Sequence, residues 1–448
     1  MNSHKRIYSI VSLGIAIVML LTAVPVSAAT ITSKASATWG TSGTNEVHGV
    51  YAYDVDGDST TEIVTVGRAY TGTKTEASLV IWTYDGNSTL TAEHWYNWTE
   101  APLATVTIAH AVFIDDLDQD GTADIVVGGT TGNSSIGDYM LRVFHWDGTT
   151  LTSDGPPGVN SPAEIFYSVH AANITGDSDL EIVSSGATGG GDDATLWLWS
   201  YDGSIGYITH TDWGPGDTVE AIAYGVFAGD VDGDSTVEVV TGGYNKSSAI
   251  AEKKGEIREW HYGSGSGLVL DYQRNDYYTS GYDTVYYSTY AADFNNNGSS
   301  EIMMCGYGNE GDPGYEDKAI LVAYYHGTSS MILGPIQPWQ VNNDDDSYCR
   351  SAYGRNLDGD NYIEIVTGGR GEVSATVNAE VRVWTYDTTP SFSSDDDEYW
   401  FSTGATLSNS VYAMDIAGDS DPEIVSGGRH YVPAASMYKA QLKVFEFS

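Results

Sequence analysis

The sequence has few cysteines and few basic residues, and each shortage excludes a class of protein. Two cysteines in 448 residues are too few for a disulfide-rich scaffold. Only 19 lysines and arginines stand against 61 aspartates and glutamates, which gives a formal net charge of −42. Nucleic acids and anionic membrane surfaces are therefore excluded as partners, because their phosphates would be repelled rather than neutralised.

Long apolar runs are also missing, apart from one at the N-terminus. Lys5 and Arg6 precede an apolar run over residues 7–24, and small residues up to Ala28 form a cleavage site. This pattern predicts a signal peptide of residues 1–28, a mature chain from Ala29, and secretion into the medium or onto the cell surface. The run is also long enough to serve as an uncleaved membrane anchor. After cleavage, we expect no insertion into a membrane.

Helical periodicity is absent from the mature chain, which instead repeats one pattern. A short acidic run is followed by an apolar strand and glycine, as in DVDGDSTTEIVTVG from the first copy. The copies start at Asp54, Asp116, Asn173, Asp230, Asp293, Asn356 and Asp415, with 57 to 63 residues between successive starts. This period, kept through the whole mature chain, indicates a repeat architecture.

Each repeat carries four strand signals. A β-branched or aromatic stretch precedes the acidic run, and an Ile/Val strand follows it. A third strand alternates bulky residues, as in Leu196-Trp197-Leu198-Trp199, and a more polar fourth strand often contains tryptophan. Four short strands in each repeat predict an all-β fold, a seven-bladed β-propeller with four-stranded antiparallel blades.

The two ends of the chain complement each other. The last repeat stops at Ser448, at the end of its third strand, whereas residues 30–40 resemble a fourth strand with Trp39 placed like Trp95 and Trp400. We expect this N-terminal strand to complete the last blade and close the ring, which would remove the exposed sheet edges. Residues 29–448 are therefore predicted to form a single seven-bladed β-propeller.

The acidic runs have the chemistry of a calcium loop. In the first repeat, carboxylates occupy positions 1, 3, 5 and 9 of the run, as Asp54, Asp56, Asp58 and Glu62. Calcium takes about six to eight oxygen ligands from a tightly turning backbone, which alternate residues of a short loop can supply. An EF-hand is rejected, because the last acid comes too early and a strand follows it.

The seven loops, the following Ile/Val strands and the Gly-Gly ends resemble the FG-GAP repeat, the unit of integrin α-subunit propellers and of prokaryotic surface proteins. The resemblance covers essentially the whole mature chain, and it implies calcium in the loop between the first two strands of each blade. It assigns metal ligands in all seven loops: Asp54, Asp56, Asp58, Glu62, Asp116, Asp118, Asp120, Asp124, Asn173, Asp177, Glu181, Asp230, Asp232, Asp234, Glu238, Asp293, Asn295, Asn297, Glu301, Asn356, Asp358, Asp360, Glu364, Asp415, Asp419 and Glu423.

Not all loops keep the full pattern. Thr175 and Ala417 stand where an acid is expected in the third and seventh loops, and the fifth loop uses Asn295 and Asn297. Since charge and ligand number set affinity, we expect about three to five calcium ions, with seven as the maximum. The alternative for any one loop is a polar turn held by its own hydrogen bonds.

A candidate ligand site is predicted at the opposite face. The residues six positions before each acidic run should form a ring at the mouth of the central channel: His48, His110, Tyr167, Tyr224, Tyr287, Arg350 and Asn409. Polar and aromatic side chains there could stack on sugars or hold a peptide side chain. Arg68, Arg370 and Arg429 are expected near the same face and could bind carboxylates. The alternative is that the ring residues are satisfied polar groups at blade junctions.

No nucleophile–base pattern, metal-hydrolase motif or phosphate-binding loop occurs, so we do not expect an enzyme. We interpret the chain as a secreted or cell-surface calcium-binding propeller that acts as an adhesion or ligand-binding module for a protein or glycan. A carbohydrate-active enzyme, such as a polysaccharide lyase or hydrolase, and a structural surface-layer or matrix component remain the alternatives. Cys305 and Cys349 lie in neighbouring repeats. They could form a disulfide or remain two buried free thiols, and the sequence does not decide between these alternatives.

Overall fold

The computed structural model describes residues 30–100, 104–133, 136–155, 164–189, 192–214, 220–248, 252–311, 317–327, 330–341, 346–373, 376–387, 390–400 and 404–448. The predicted signal peptide, residues 1–28, lies outside these residues. Within them, no helix is long and apolar enough to span a bilayer. The extent of the domain, residues 29–448, remains a prediction.

The described residues form an all-β structure with one short 3-10 turn at Pro433–Ala435. In chain order the strands are β1 (Ile31–Trp39), β2 (Glu46–Tyr53), β3 (Glu62–Tyr70), β4 (Thr75–Tyr84), β5 (Leu90–Trp98), β6 (Val106–Asp115), β7 (Asp124–Asn133), β8 (Ile136–Trp146), β9 (Leu151–Asp154), β10 (Glu164–Ala172), β11 (Glu181–Thr188), β12 (Ala194–Tyr201), β13 (Ile205–Trp213), β14 (Glu220–Gly229), β15 (Glu238–Lys246), β16 (Lys254–Gly263), β17 (Gly267–Asp276), β18 (Thr284–Ala292), β19 (Glu301–Asn309), β20 (Asp317–His326), β21 (Met331–Trp339), β22 (Ser347–Arg355), β23 (Glu364–Val373), β24 (Thr376–Tyr386), β25 (Phe392–Trp400), β26 (Thr406–Met414), β27 (Glu423–Val432) and β28 (Met437–Phe447).

Four-stranded antiparallel sheets recur along the chain. We number the four-strand sets by sequence: β2–β5 is set 1, β6–β9 is set 2, β10–β13 is set 3, β14–β17 is set 4, β18–β21 is set 5 and β22–β25 is set 6. Set 7 combines β26, β27 and β28 with β1. Sets 1 and 2 are joined by one parallel bridge between Thr75 and Val106. The predicted all-β repeat of four-stranded antiparallel sheets is confirmed.

The core lies between successive sheets. The second and third strands of each set are buried over most of their length, because both of their faces are covered. One cluster joins Val64 and Leu79 of set 1 to Ile125 and Phe144 of set 2. The fourth strands are more exposed, as the alternating pattern of β5 shows. The sheets therefore pack face to face, and each first strand lies at the same end of its sheet.

The N-terminal strand pairs with the C-terminal strand. Strand β1 is antiparallel to β28, from Ile31 opposite Phe447 to Trp39 opposite Ala440. Trp98 lies opposite Ala77 in the same way. Trp39 therefore corresponds to Trp98 and to Trp400, which lies opposite Ala379. The predicted correspondence to Trp400 is confirmed, and the one to Trp95 was wrong by three residues.

Cys305 and Cys349 form a disulfide between sets 5 and 6. Their Cα atoms are 5.5 Å apart, and both side chains are fully buried. The two cysteines belong to β19 and β22, so the bond links one sheet to the next. This settles the pairing that the sequence leaves open.

Replacing both cysteines by alanine is expected to lower the free energy of unfolding by about 4 kcal/mol, because the bond closes a loop of 44 residues in the unfolded chain. Equilibrium denaturation of the oxidised protein and of the double variant measures the difference. Reduced wild-type protein is the control, and it should unfold at the same denaturant concentration as the variant. Identical midpoints for oxidised and reduced protein would contradict the prediction.

Candidate ligand-binding site and acidic loops

Every first strand contains a β-bulge, and each bulge falls at an equivalent position. The register with the second strand shifts by one residue six positions before the acidic loop. The bulged residues are His48, His110, Tyr167, Tyr224, Tyr287, Arg350 and Asn409. These are the seven residues that the sequence predicts as a ring, and we call them the mouth ring.

The bulges change which side chains face the same way. Side chains alternate along a regular strand, so residues three positions apart point to opposite faces. A bulge adds one unpaired residue, and it therefore brings such residues to one face. The residues three positions after the mouth ring share its cavity, and we call them the inner ring: Tyr51, Phe113, His170, Phe227, Tyr290, Tyr353 and Tyr412.

The inner ring is continuous. Neighbouring side-chain rings contact each other around the whole circle, with centroid distances from 4.1 Å for Tyr51 and Tyr412 to 5.5 Å for Tyr51 and Phe113. Sequence analysis missed these residues, although an aromatic residue or histidine stands three positions before every acidic loop. The two rings enclose a cavity of ≈ 260 Å³ that all seven first strands line.

One arc of the mouth ring consists of three tyrosines, and Arg350 lies at its end. Tyr167, Tyr224 and Tyr287 lie in sequence, with centroid distances of 4.9 and 5.1 Å. The guanidinium carbon of Arg350 lies 4.6 Å from the ring centroid of Tyr287. The Nε of Arg350 is buried without a hydrogen-bond partner, and no salt bridge to Arg350 occurs in the described part of the chain. Arg350 lines the cavity, and its guanidinium supplies donors for a ligand there.

The opposite arc is held by a buried carboxylate that sequence analysis did not identify. Glu46 accepts hydrogen bonds from Arg429 Nη1 at 2.9 Å and from Asn409 Nδ2 at 3.0 Å, and Arg68 also binds it. Burial would raise the pKa of Glu46, but its interactions with His48, Arg429 and Arg68 lower it to about 2. Two arginines share one carboxylate here, so this cluster carries one excess positive charge.

The two histidines of the mouth ring are neutral at physiological pH. Burial lowers the pKa of His48 to about 4, with Arg68 and Arg429 adding to the effect and Glu46 opposing it. Burial lowers the pKa of His110 to about 3, and His48 adds to this. The positive charge beside these histidines therefore comes from Arg68 and Arg429.

The acidic loops follow the other ends of the same first strands. The side chain at position 1 turns each loop by accepting backbone N–H groups; Asp54 accepts from Gly57 at 2.8 Å and from Ser59 at 3.0 Å. Gly57, at position 4, has φ of 75°, which favours glycine. These bonds are the self-held polar turn that the sequence also allows, and they leave other carboxylate oxygens exposed to an ion.

The carboxylate at position 9 is buried in all seven loops and accepts the backbone N–H of position 2. The distances range from 2.7 Å for Leu357 and Glu364 to 3.1 Å for Phe294 and Glu301. Burial raises the pKa of Glu62 to about 7, and Asp56 and Asp58 add to the rise. The first loop, residues 54–62, contains no lysine or arginine that could neutralise its acids.

Four loops gather carboxylates and three do not. Ligand atoms lie within 4.8 Å of one another in four groups: Asp54, Asp56 and Asp58; Asp116, Asp118 and Asp124; Asp230, Asp232 and Asp234; and Asp358, Asp360 and Glu364. These are the loops with the fullest sequence pattern. In the third loop, Thr175 Oγ donates to Glu181, and in the fifth Asn295 Nδ2 donates to Glu301. In the seventh, Ala417 N–H donates to Glu423.

The donor set of the four loops fits calcium, because hard carboxylate oxygens from one short turn face a common point. Such an ion would neutralise the repelling acids of its loop and fix the turn between the first and second strands. Within the described residues, fourteen predicted ligands lie in their loops but outside these four groups: Glu62, Asp120, Asn173, Asp177, Glu181, Glu238, Asp293, Asn295, Asn297, Glu301, Asn356, Asp415, Asp419 and Glu423.

Residues 116–184 match the FG-GAP-like repeat family, and the resemblance predicted from the loops is confirmed. A search of curated proteins found no match.

Propeller-like proteins occur among the similar solved structures. Sqt1 from Chaetomium thermophilum is 9% identical, with a TM-score of 0.51, and the match covers 93% of this chain and 97% of that chain. A rhamnogalacturonan lyase from Bacillus licheniformis is 13% identical, with a TM-score of 0.38 and coverage of 92% and 91%. A lectin from Aleuria aurantia, in complex with Fucalpha1-6GlcNAc, is 12% identical, with a TM-score of 0.37 and coverage of 82% and 94%. The similarity to Sqt1 concerns the fold alone.

Proposed function

We propose that this chain, which carries an FG-GAP-like repeat, is a secreted or cell-surface seven-bladed β-propeller closed by its N-terminal strand. Contacts between the first and last sets support the closed ring. The N–H of Val50 donates to Ser410 Oγ at 3.1 Å, and Asn409 Nδ2 donates to the carbonyl of Val47 at 2.9 Å. The basic and apolar N-terminal segment supports secretion.

The proposed role is ligand binding without turnover, in adhesion or capture of extracellular material. The observation that carries it is the convergence of seven bulged side chains, one from each repeat, on one cavity. Bulges re-aim side chains and are frequent next to functional sites. The acidic loops are proposed to hold calcium and to stabilise the scaffold at the other end of the strands.

The cavity favours an acidic glycan as ligand. A row of three tyrosines offers faces on which sugar rings can stack, and Arg350 stands at the end of that row. A guanidinium binds a carboxylate through two parallel hydrogen bonds. A uronic acid unit combines both features, whereas a peptide carboxylate would use Arg350 without the tyrosine arc.

Replacing Arg350 by alanine is expected to weaken binding of an acidic oligosaccharide by roughly tenfold to a hundredfold, the loss of a charge-assisted hydrogen bond. Oligogalacturonate and its carboxyl-reduced neutral form serve as probes in calorimetric titrations. Arg350→Lys should retain part of the affinity, because lysine keeps the positive charge but cannot form the two parallel hydrogen bonds of a guanidinium. Product analysis of the same mixtures tests for turnover.

Arg355 supplies the matched control, because it is exposed at the other end of strand β22. Arg355→Ala should leave binding unchanged. Equal affinity of wild type and Arg350→Ala, or equal affinity for the charged and the neutral probe, would contradict the proposed ligand class. Cleavage of the probe would favour the enzyme alternative.

A further inference from the structure

The seven repeats can be compared with one another position by position. At one buried position, a single repeat carries a different type of residue from the other six. The position compared lies in the third strand, opposite the second-strand residue that follows position 9 of the loop by two. In set 1, for example, Glu62 is at position 9, and Val64 pairs with Ile81. The third-strand residue at this position is apolar in six sets and a glutamate in set 4: Ile81, Val143, Leu198, Glu259, Ala323, Val383 and Val444. Glu259 is 1% exposed, so a carboxylate replaces an aliphatic side chain in the core.

A second departure from the repeat occurs in set 5, the neighbour of set 4. It concerns the third-strand position three residues after the one compared above. The equivalent residues are aromatic in six sets and histidine in set 5: Tyr84, Trp146, Tyr201, Tyr262, His326, Tyr386 and Phe447. The two departures meet, because His326 Nε2 lies 3.2 Å from Glu259 Oε1. Two independent exceptions to the repeat therefore come together at one boundary between sheets.

The contact between them is not a hydrogen bond. His326 Nε2 has no hydrogen-bond partner, and neither has the buried Oε2 of Glu259. Negative charge surrounds the acid, from Glu238, Asp271 and Asp232. An imidazole nitrogen and a carboxylate oxygen at this separation match two ligands of one ion.

Further oxygen donors are within reach. Asp232 Oδ2 lies 3.9 Å from His326 Nε2, and its loop belongs to the fourth repeat. A cavity of ≈ 680 Å³ opens beside the pair and is also lined by His261 and Asp271, which contact each other at 2.7 Å. The cavity gives an ion a route to the buried pair and room for water ligands.

We propose that Glu259 and His326 bind a divalent transition-metal ion such as Zn²⁺ at the boundary between sets 4 and 5, with water completing its ligands. A nitrogen ligand favours zinc over calcium, which takes oxygen ligands. The site is separate from the ligand cavity between the mouth and inner rings, and it does not depend on the proposed function.

The test uses the mature protein saturated with calcium and titrated with Zn²⁺ by calorimetry, followed by metal analysis after desalting. The test variant is Glu259→Val with His326→Tyr. It restores the residue types of the other repeats, so the core should remain packed. Wild type is expected to bind one equivalent of Zn²⁺ more than the variant and to melt at a higher temperature with Zn²⁺ present.

His210→Ala is the control for adventitious binding, because His210 is a surface imidazole in set 3. It should bind zinc as wild type does. His261→Ala reports whether the neighbouring imidazole contributes, and the proposal expects it to retain the tight equivalent. Equal zinc stoichiometry in wild type and the double variant would overturn the proposal. Complete displacement of the zinc by excess calcium would also overturn it, since the ion would then occupy the acidic loop.

Discussion

Removing calcium with a chelator is expected to lower the melting temperature by roughly 10 °C or more. Four loops bring acids within 4.8 Å of one another, and without a cation these acids repel each other. An ion that binds only the folded state stabilises it by about 3 kcal/mol per site when its concentration is a hundred times the dissociation constant. Thermal denaturation in chelator and in millimolar calcium measures the shift.

Variants of single loops separate this effect from a general influence of salt. Asp58→Asn in the first loop and Asp234→Asn in the fourth should each reduce the calcium-dependent part of the shift, because each removes one charge from a gathered group. Asp177→Asn, in the loop where Thr175 already binds Glu181, is the matched control and should have little effect. Melting curves that do not respond to the chelator would exclude a structural role for calcium.

Deleting residues 30–40 is expected to lower the melting temperature at least as much as the removal of calcium. Without β1, the hydrogen-bonding edge of β28 is exposed, and Phe447 loses its partner Ile31. An unpaired edge strand is a template for association with other chains. We expect the truncated protein to aggregate or to melt at a temperature lower by roughly 10 °C or more, as size-exclusion chromatography and thermal denaturation would report.

A circular permutation keeps the strand while removing it from the N-terminus. Thr30 N–H donates to the carbonyl of Ser448 at 2.7 Å, and Ser448 N–H donates to the carbonyl of Thr30 at 3.1 Å. A two-residue Asn-Gly turn could therefore join Ser448 to residues 30–40 as a hairpin. The permuted chain should fold like wild type. A stable, monomeric truncation would show that the ring does not need this strand.

The repeat made much of the fold accessible from sequence. Four strand signals per repeat predicted the recurring antiparallel sheets. The last repeat carries only three strand signals, and the N-terminal segment was predicted to supply its fourth strand. Trp39 was matched correctly to Trp400, but its match to Trp95 was off by three residues. Alternation specifies which face of a strand is buried, but only the opposing strand fixes the pairing, here Trp39 opposite Ala440.

The candidate site was predicted in part, and the missing part has a definite cause. The mouth ring follows from counting back from each loop. Tyr51 and its equivalents were missed because regular alternation places them on the opposite face, and only the bulges reverse that. The Glu46 cluster was missed because it joins residues from the first and last repeats, which are distant in sequence. Glu259 and His326 were visible as exceptions to the repeat, but their contact depends on how the sheets stack.

The bulges also determine how easily the side chains that line the cavity could be exchanged. A bulged residue takes no part in the pairing of the ladder, so its identity is free of the constraints that the strand imposes on its neighbours. Each repeat contributes one such position, and a substitution at Asn409 leaves the backbone at Tyr224 untouched. Substitutions in the repeats can therefore alter the lining of the cavity one residue at a time. The present mixture of tyrosine, histidine, arginine and asparagine around a single cavity is the pattern that such independent change would leave.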